Sequence, residues 1–362
     1  MVITNKTIEL LWDITKHCNL SCRHCAINAT RIAKTVPWQE TYRILCNLKS
    51  KREISLINLQ GGEPLSYPFI EKLISFFCKS KIKYSINTNG LLIDGKMIEI
   101  FSEHAPESII FSFESFNAQQ FNALKNSWLF PQLIENIKKV ISIKNNIGVS
   151  VEGICVITTI NINSIPKIIE SANELGFDIL VLSKLCYSGR ATVNNYLFPA
   201  PLQIYKMFSE ILKYLSDVKF STKILIPWAT PRWLEHFGRN REVDAFYSQC
   251  NAVVKSNYIN AEGIFLPCPK MRIILEFLKI SEIEYKRTCD LKKNSLDVIL
   301  ESPLIEYIYN NFFKNPKLVP PICKTCKHFE YCQTCPANYV AGDSLVNDTA
   351  DYKLCEFIQS LN

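Results

Sequence analysis

Between residues 8 and 216, short runs rich in β-branched and aromatic residues alternate with segments of helical period, and this alternation restricts the possible folds more than any other feature. Strands are expected at "TIELLWDIT", "SLINLQ", "YSINT", "SIIFSFE", "IGVSVEGICVI" and "FDILVLSK". Helical segments are expected at 38 to 49, 68 to 80, 96 to 103, 129 to 145, 164 to 175 and 201 to 216. Pro166 suits a first helical turn and Gly176 the stop of the same helix. Strand then helix, repeated, is the pattern of βα units around a parallel sheet or barrel, an α/β fold.

Side chains two apart on a strand share a face. Several strands carry a polar pair at that spacing: Asp13 and Thr15, Asn58 and Gln60, Ser85 and Asn87, Ser112 and Glu114, Ser150 and Glu152. In a curled parallel sheet such pairs are expected to converge at the C-terminal mouth, where barrel enzymes keep their sites. A dry barrel core would exclude them.

From about residue 217 the texture changes to Pro, Trp, Arg and Cys with short irregular elements. The expected organisation is a barrel over 1–216, a linker over 217–240 and a second domain over 241–362. "SNYINAEGIFLPC" reads as a hairpin around a glycine turn, and "SLDVILESPLIEYIYNNF" as an amphipathic helix or a pair of short ones.

The 362 residues include 41 Lys and Arg against 34 Asp and Glu, a net charge of +7 spread without blocks of like charge. That distribution gives no basic arm for nucleic acid. The N-terminus lacks the charged, apolar and small-residue regions of a secretory signal, and no apolar run approaches the ~20 residues that span a bilayer. A cytoplasmic protein without nucleic-acid or membrane partners is expected. In that reducing compartment, 15 cysteines point to metal binding or catalysis.

Three of them follow the first strand in "DITKHCNLSCRHC", as Cys18-x3-Cys22-x2-Cys25. A closed zinc site, or an electron-transfer cluster held only by cysteine, needs four ligands. Three thiolates on a four-iron cluster leave one iron open to a small molecule. With "LQGGEP" ending the second strand and "INTNG" ending the third, the sequence resembles the radical SAM superfamily, whose fold is a partial (β/α)6 TIM-like barrel. The resemblance implies a 4Fe-4S cluster on Cys18, Cys22 and Cys25, with S-adenosylmethionine chelated to the open iron. Gly61, Gly62, Glu63 and Pro64 would engage the methionine end of that cofactor, with Asn87, Ser112 and Glu114 as further cofactor contacts. The outcome would be a 5'-deoxyadenosyl radical that abstracts hydrogen from an unactivated carbon.

The later cysteines run Cys250-x12-Gly263-x4-Cys268, then Cys323-x2-Cys326-x5-Cys332-x2-Cys335, then Cys355. Taken bare, the last group reads as a zinc ribbon. In this context the order resembles the SPASM/twitch extension of radical SAM enzymes, which holds two auxiliary iron-sulfur clusters, expected as 4Fe-4S. By that resemblance Cys250, Cys268 and Cys335 ligate the first, and Cys323, Cys326, Cys332 and Cys355 the second. The fourth ligand of the first is left open among Asp244, Cys289 and substrate. Cys46, Cys78 and Cys155 read as small core hydrophobes. Cys186, in "KLCYSGRA" after the sixth strand, reads either as packing or as a hydrogen-atom donor, beside a Gly189-Arg190 turn that resembles one near the radical site of SPASM enzymes.

SPASM enzymes mostly modify peptides or proteins, so the resemblance implies a peptide maturase that oxidises or crosslinks side chains of a ribosomally made precursor. Peptide epimerisation through Cys186 and sulfatase-type maturation are the alternatives, and a zinc or iron-sulfur scaffold is the non-enzymatic one. Gln60 and Glu152 join Cys186 as candidate catalytic residues, with Asp13 a second candidate base. An external reductant such as flavodoxin or ferredoxin is implied. The first strand begins near residue 8, so leader recognition is expected from a separate protein or from the barrel surface.

Overall fold

The computed structural model describes residues 7–48, 51, 53–217, 219–238, 243–244, 252–253, 256–329, 332, 337 and 351–361. Among the described residues ten strands form one sheet: β1 (Thr7–Thr15), β2 (Glu53–Gly61), β3 (Tyr84–Thr88), β4 (Ser108–Ser112), β5 (Ser150–Ile157), β6 (Ile179–Lys184), β7 (Lys223–Leu225), β8 (Val243–Asp244), β9 (Ser256–Ile259) and β10 (Phe265–Leu266). Their order is β10-β9-β1-β2-β3-β4-β5-β6-β7-β8. Every neighbouring pair is parallel except β9 with β10, the expected hairpin.

The crossovers are α1 (Trp38–Asn47), α2 (Ile70–Lys79), α3 (Gly95–Glu103), α4 (Ala118–Lys125), α5 (Phe130–Ile147) and α6 (Ile165–Leu175), with α7 (Pro201–Asp217) after β6. Alternation along β1 and β2 separates two environments. Ile8, Leu10, Trp12, Ile57 and Leu59 are buried in the apolar core, whereas Asp13 and Gln60 line the interior cavity. Pro166 and Gly176 occupy the expected ends of α6, with Gly176 in the left-handed region at φ 92°. The helix α4 was not expected. Its sequence has weak amphipathic contrast, and its limits come from Asn117, whose side chain accepts from the Gln119 and Gln120 amides, and from left-handed Asn126.

The stretch expected as a linker is built differently. Residues 223–225 add β7 to β6, and the helix Pro231–His236 follows, with Ile226 and Trp233 buried in the core. Apolar residues in this irregular segment extend the sheet, which therefore continues past 216. On the other side β9 pairs with β1, so the C-terminal part of the chain completes the same sheet. Among the described residues no helix is long and apolar enough to cross a membrane.

Candidate active site

At the strand ends a cavity of about 380 Å³ is lined by Cys18, Cys22 and Cys25, by Gly61, Gly62, Asn87 and Ser112, and by Asp13, Gln60 and Cys186. The loop carrying the three thiols is held from two sides. On one side, the end of β2 lies against the backbone just before Cys18: the Gly62 amide donates to Thr15 O (2.7 Å) and the Glu63 amide to His17 O (2.8 Å). A Cβ on Gly62 would stand 2.0 Å from His17 O, so glycine is required for this approach. On the other side, Arg190 donates from Nε to Cys22 O and from Nη1 to Ala29 O, both 2.7 Å, and from its amide to Cys25 O at 2.8 Å. Gly189 packs against the same loop, where a Cβ would lie 2.4 Å from Cys25 O.

Glu63 is fully buried and accepts from the Leu65 amide, Thr88 Oγ1 and the Asn89 amide. It ties the "GGEP" turn to "NTNG", and neither Glu63 nor Pro64 is among the residues lining the cavity. Asn89, which the sequence reading passed over, extends the tie: its Nδ2 donates to Asn19 Oδ1 at 2.7 Å, joining "NTNG" to "CNL". Asn87 and Ser112 face the cavity as expected.

Glu114 is also fully buried and lies behind the wall. Its oxygens stand 3.0 Å from His24 Nε2 and 2.8 Å from Lys125 Nζ. Burial pushes its carboxyl upward, but Lys125 and His24 outweigh that and hold it down to about 2. Lys125 donates as well to Ser112 O and Oγ. A cation thus acts on the Cys18 and Cys22 thiols, and it lines the cavity together with His24. Neither residue announces this in the sequence.

Desolvation pushes the Cys18 thiol up to about 11 and the Cys22 thiol up to about 12, Lys125 pulling the other way. Such thiols ionise readily only onto a metal, whose charge replaces the lost hydration. Among the described residues no three Cys, His, Asp or Glu side chains converge on a single metal ion. A four-iron cluster asks for a wider spacing, since each cysteine takes a different iron. Of the adjacent histidines, His17 Nδ1 is 2.9 Å from Ser66 Oγ and His24 pairs with Glu114. Three thiols on one wall of a cavity with space for a small molecule fit such a cluster with one open iron.

Of the candidate catalytic residues, Gln60 and Cys186 line this cavity and Glu152 does not. Glu152 is the third residue of a strand that runs on to Ile157, so the mouth is reached by Ile154 and Val156 instead. The Glu152 side chain bonds to Ser108 and Ser150, and burial raises its pKa. Asp13 does line the cavity, and its carboxylate accepts from Tyr258, which the sequence gave no means of placing there.

A second pocket is lined by Cys323, Cys326, Cys332 and Cys355, with Thr230 Oγ1 3.2 Å from Cys355 Sγ. Cys268 follows β10, and its neighbour Pro269 lines the central cavity. Cys250 and Cys335 lie outside the described residues. Cys289 is fully buried at the end of the helix Glu282–Cys289, and Asp244 ends β8 at the far end of the strand order from β10. Cys155 is fully buried, while Cys46 and Cys78 are half-buried on α1 and α2.

A parallel βα sheet gathers three loop thiols at a cavity by its strand ends, a donor set suited to an iron-sulfur cluster. Residues 12–172 match the family model of the radical SAM superfamily. The cofactors of that superfamily are S-adenosylmethionine and a 4Fe-4S cluster. The AdoMet-dependent heme synthase of Methanosarcina barkeri is 23% identical over 226 residues, 62% of this chain and 62% of that protein. The chain therefore spans less than two thirds of that relative. The PqqA peptide cyclase of Gluconobacter oxydans is 21% identical over 338 residues, 91% of this chain and 85% of the other. Among solved structures, Streptococcus suis SuiB bound to its precursor peptide SuiA superposes with a TM-score of 0.66 at 19% identity. That match covers 94% of this chain and 74% of SuiB, a likeness of fold.

Proposed function

We propose that the chain is a radical SAM peptide maturase that oxidises or crosslinks side chains of a ribosomally made precursor peptide. The observation that carries this reading is the one cavity that Cys18, Cys22, Cys25, Gly61 and Gly62 line together with Asp13, Gln60 and Cys186. When bound, the cluster and S-adenosylmethionine supply a 5'-deoxyadenosyl radical that takes a hydrogen atom from an unactivated carbon. The protein's part is placement. Gly61, Gly62, Asn87 and Ser112 form the cofactor side of the cavity, Gln60 is a hydrogen-bonding group toward substrate, and Arg190 fixes the cluster loop. Glu63, Pro64 and Glu114 act behind the surface by holding the turns that shape it.

The pocket of Cys323, Cys326, Cys332 and Cys355 supports an auxiliary 4Fe-4S cluster, and Cys268, with Cys250 and Cys335, is assigned to a second. Held there, such clusters would supply an acceptor for the electron released when an oxidised product forms. Similarity to a peptide cyclase over most of both chains supports a peptide substrate. A separate leader-recognition protein and an external flavodoxin- or ferredoxin-type reductant complete the scheme, and a cytoplasmic site suits it. Cys186 on the cavity wall favours a second reading, peptide epimerisation, in which its thiol returns a hydrogen atom to the carbon radical.

Incubating the reconstituted enzyme with a synthetic precursor peptide, in solvent deuterium oxide, separates the two. Oxidation or crosslinking gives a product lighter by two hydrogens. Epimerisation gives a product of unchanged composition with one deuterium at the altered carbon, lost in Cys186→Ala. Gln60→Ala is expected to reduce product more than 5'-deoxyadenosine, and equal loss of both removes Gln60 from the substrate side.

A further inference from the structure

Three carboxylates are buried around the cavity, and two are consumed internally: Glu63 by Leu65, Thr88 and Asn89, and Glu114 by His24 and Lys125. Asp13 differs. It is 4% exposed, lies on the cavity wall, and forms no ion pair among the described residues. The cation that acts on it, Lys16, pairs instead with Glu262 at 3.2 Å on the surface.

Asp13 is held by neutral donors. The Tyr258 hydroxyl donates to its Oδ2, and Gln60 bonds to it from the neighbouring strand. Tyr258 reaches it because β9 pairs with β1 in parallel, placing Tyr258 opposite Leu11. The C-terminal part of the chain therefore completes this corner of the barrel. Burial raises the Asp13 carboxyl to about 6 despite those hydrogen bonds, which makes the carboxylate more basic than an ordinary aspartate near neutral pH.

We propose that Asp13, oriented by Tyr258, accepts the proton that the substrate peptide releases as its new bond closes. This rests on the peptide-maturase reading and extends it. One C–H bond of the peptide breaks, and its hydrogen atom leaves with the deoxyadenosyl group. One N–H, O–H, S–H or second C–H bond then breaks as that atom bonds to the carbon radical; its proton goes to Asp13 and the remaining electron to an iron-sulfur cluster. Tyr258 is a positioning residue. Epimerisation, which returns a hydrogen atom, leaves Asp13 no proton to accept.

The test uses the reconstituted enzyme and a synthetic peptide encoded beside its gene, deuterated at side-chain carbons. In Asp13→Asn, deuterium transfer into 5'-deoxyadenosine is expected to stay within about threefold of wild type, while closed product falls at least a hundredfold. Asp13→Glu is expected to restore part of it. A second readout needs no turnover: infrared difference spectra of wild type minus Asp13→Asn holoprotein are expected to show a carboxyl titrating near pH 6. In Tyr258→Phe that midpoint moves upward, because the lost hydrogen bond favoured the carboxylate. Equal loss of deuterium transfer and product in Asp13→Asn, or an unchanged ratio of the two, overturns the proposal, as does an Asp13 midpoint in the ordinary aspartate range. A wild-type enzyme that transfers deuterium but forms no oxidised product overturns the maturase reading itself.

Discussion

Lys125 is the most consequential side chain behind the cluster loop, because its charge is buried and, among the described residues, Glu114 is the carboxylate that matches it. Removing one partner of such a pair strands the other, at a cost of about 3–5 kcal/mol, whereas replacing both by apolar residues is often close to neutral. Glu114→Leu, which strands Lys125, is therefore expected to lower the denaturation midpoint sharply, and Glu114→Leu with Lys125→Met to recover most of it. Recovery measured by denaturant titration separates stranded charge from lost packing. Asp13 has the opposite sign. Its carboxyl titrates near 6 in the folded chain against 3.8 ordinarily, so the fold binds its proton more tightly and stability falls as pH rises through that window. Asp13→Asn is expected to gain stability over wild type between about pH 4 and about pH 6, by up to roughly 3 kcal/mol. A flat difference across that range would contradict the burial of its charge.

Two turns, one from β2 and one after β6, grip the thiol loop, and each has a distinct test. Gly62→Ala puts a methyl group 2.0 Å from His17 O and is expected to displace the loop outright. Arg190→Ala removes two side-chain bonds to loop carbonyls, each worth about 1.5–3 kcal/mol for a charged donor. The expected result is faster loss of iron to a chelator from the Cys18 site than in wild type. At this scale much was legible. β1 and β3 fall on the residues that alternation marked, and each expected helix is present, because their buried faces repeat at the periods that sequence displays. The thiol-loop and third-strand motifs lie at the cavity, whereas Glu63 is turned into the protein, because a motif records a residue's presence and not the direction it faces. Glu152 falls short of the mouth because β5 runs on to Ile157, a length that the polar pair alone does not reveal.

Across the whole molecule, distance along the chain sets the limit of legibility. Tyr258 meets Asp13 across 245 residues, through a four-residue strand whose own pattern names no partner. The stretch 217–240 looked like a linker because its strand is three residues long, yet it extends the sheet. The consequence is a site assembled from both ends of the chain: thiols and glycines from the first strands, Tyr258 and Pro269 from beyond residue 250. The pocket of Cys323, Cys326, Cys332 and Cys355 lies apart from it, closed against Thr230. The most direct test is anaerobic reconstitution with iron and sulfide, reduction, and assay of 5'-deoxyadenosine with S-adenosylmethionine. Wild type is expected to form it, and the variant lacking the Cys18, Cys22 and Cys25 thiols to lose about four irons per chain and all cleavage. Zinc in place of iron with no cleavage by wild type, or cleavage that survives loss of those thiols, would contradict the account.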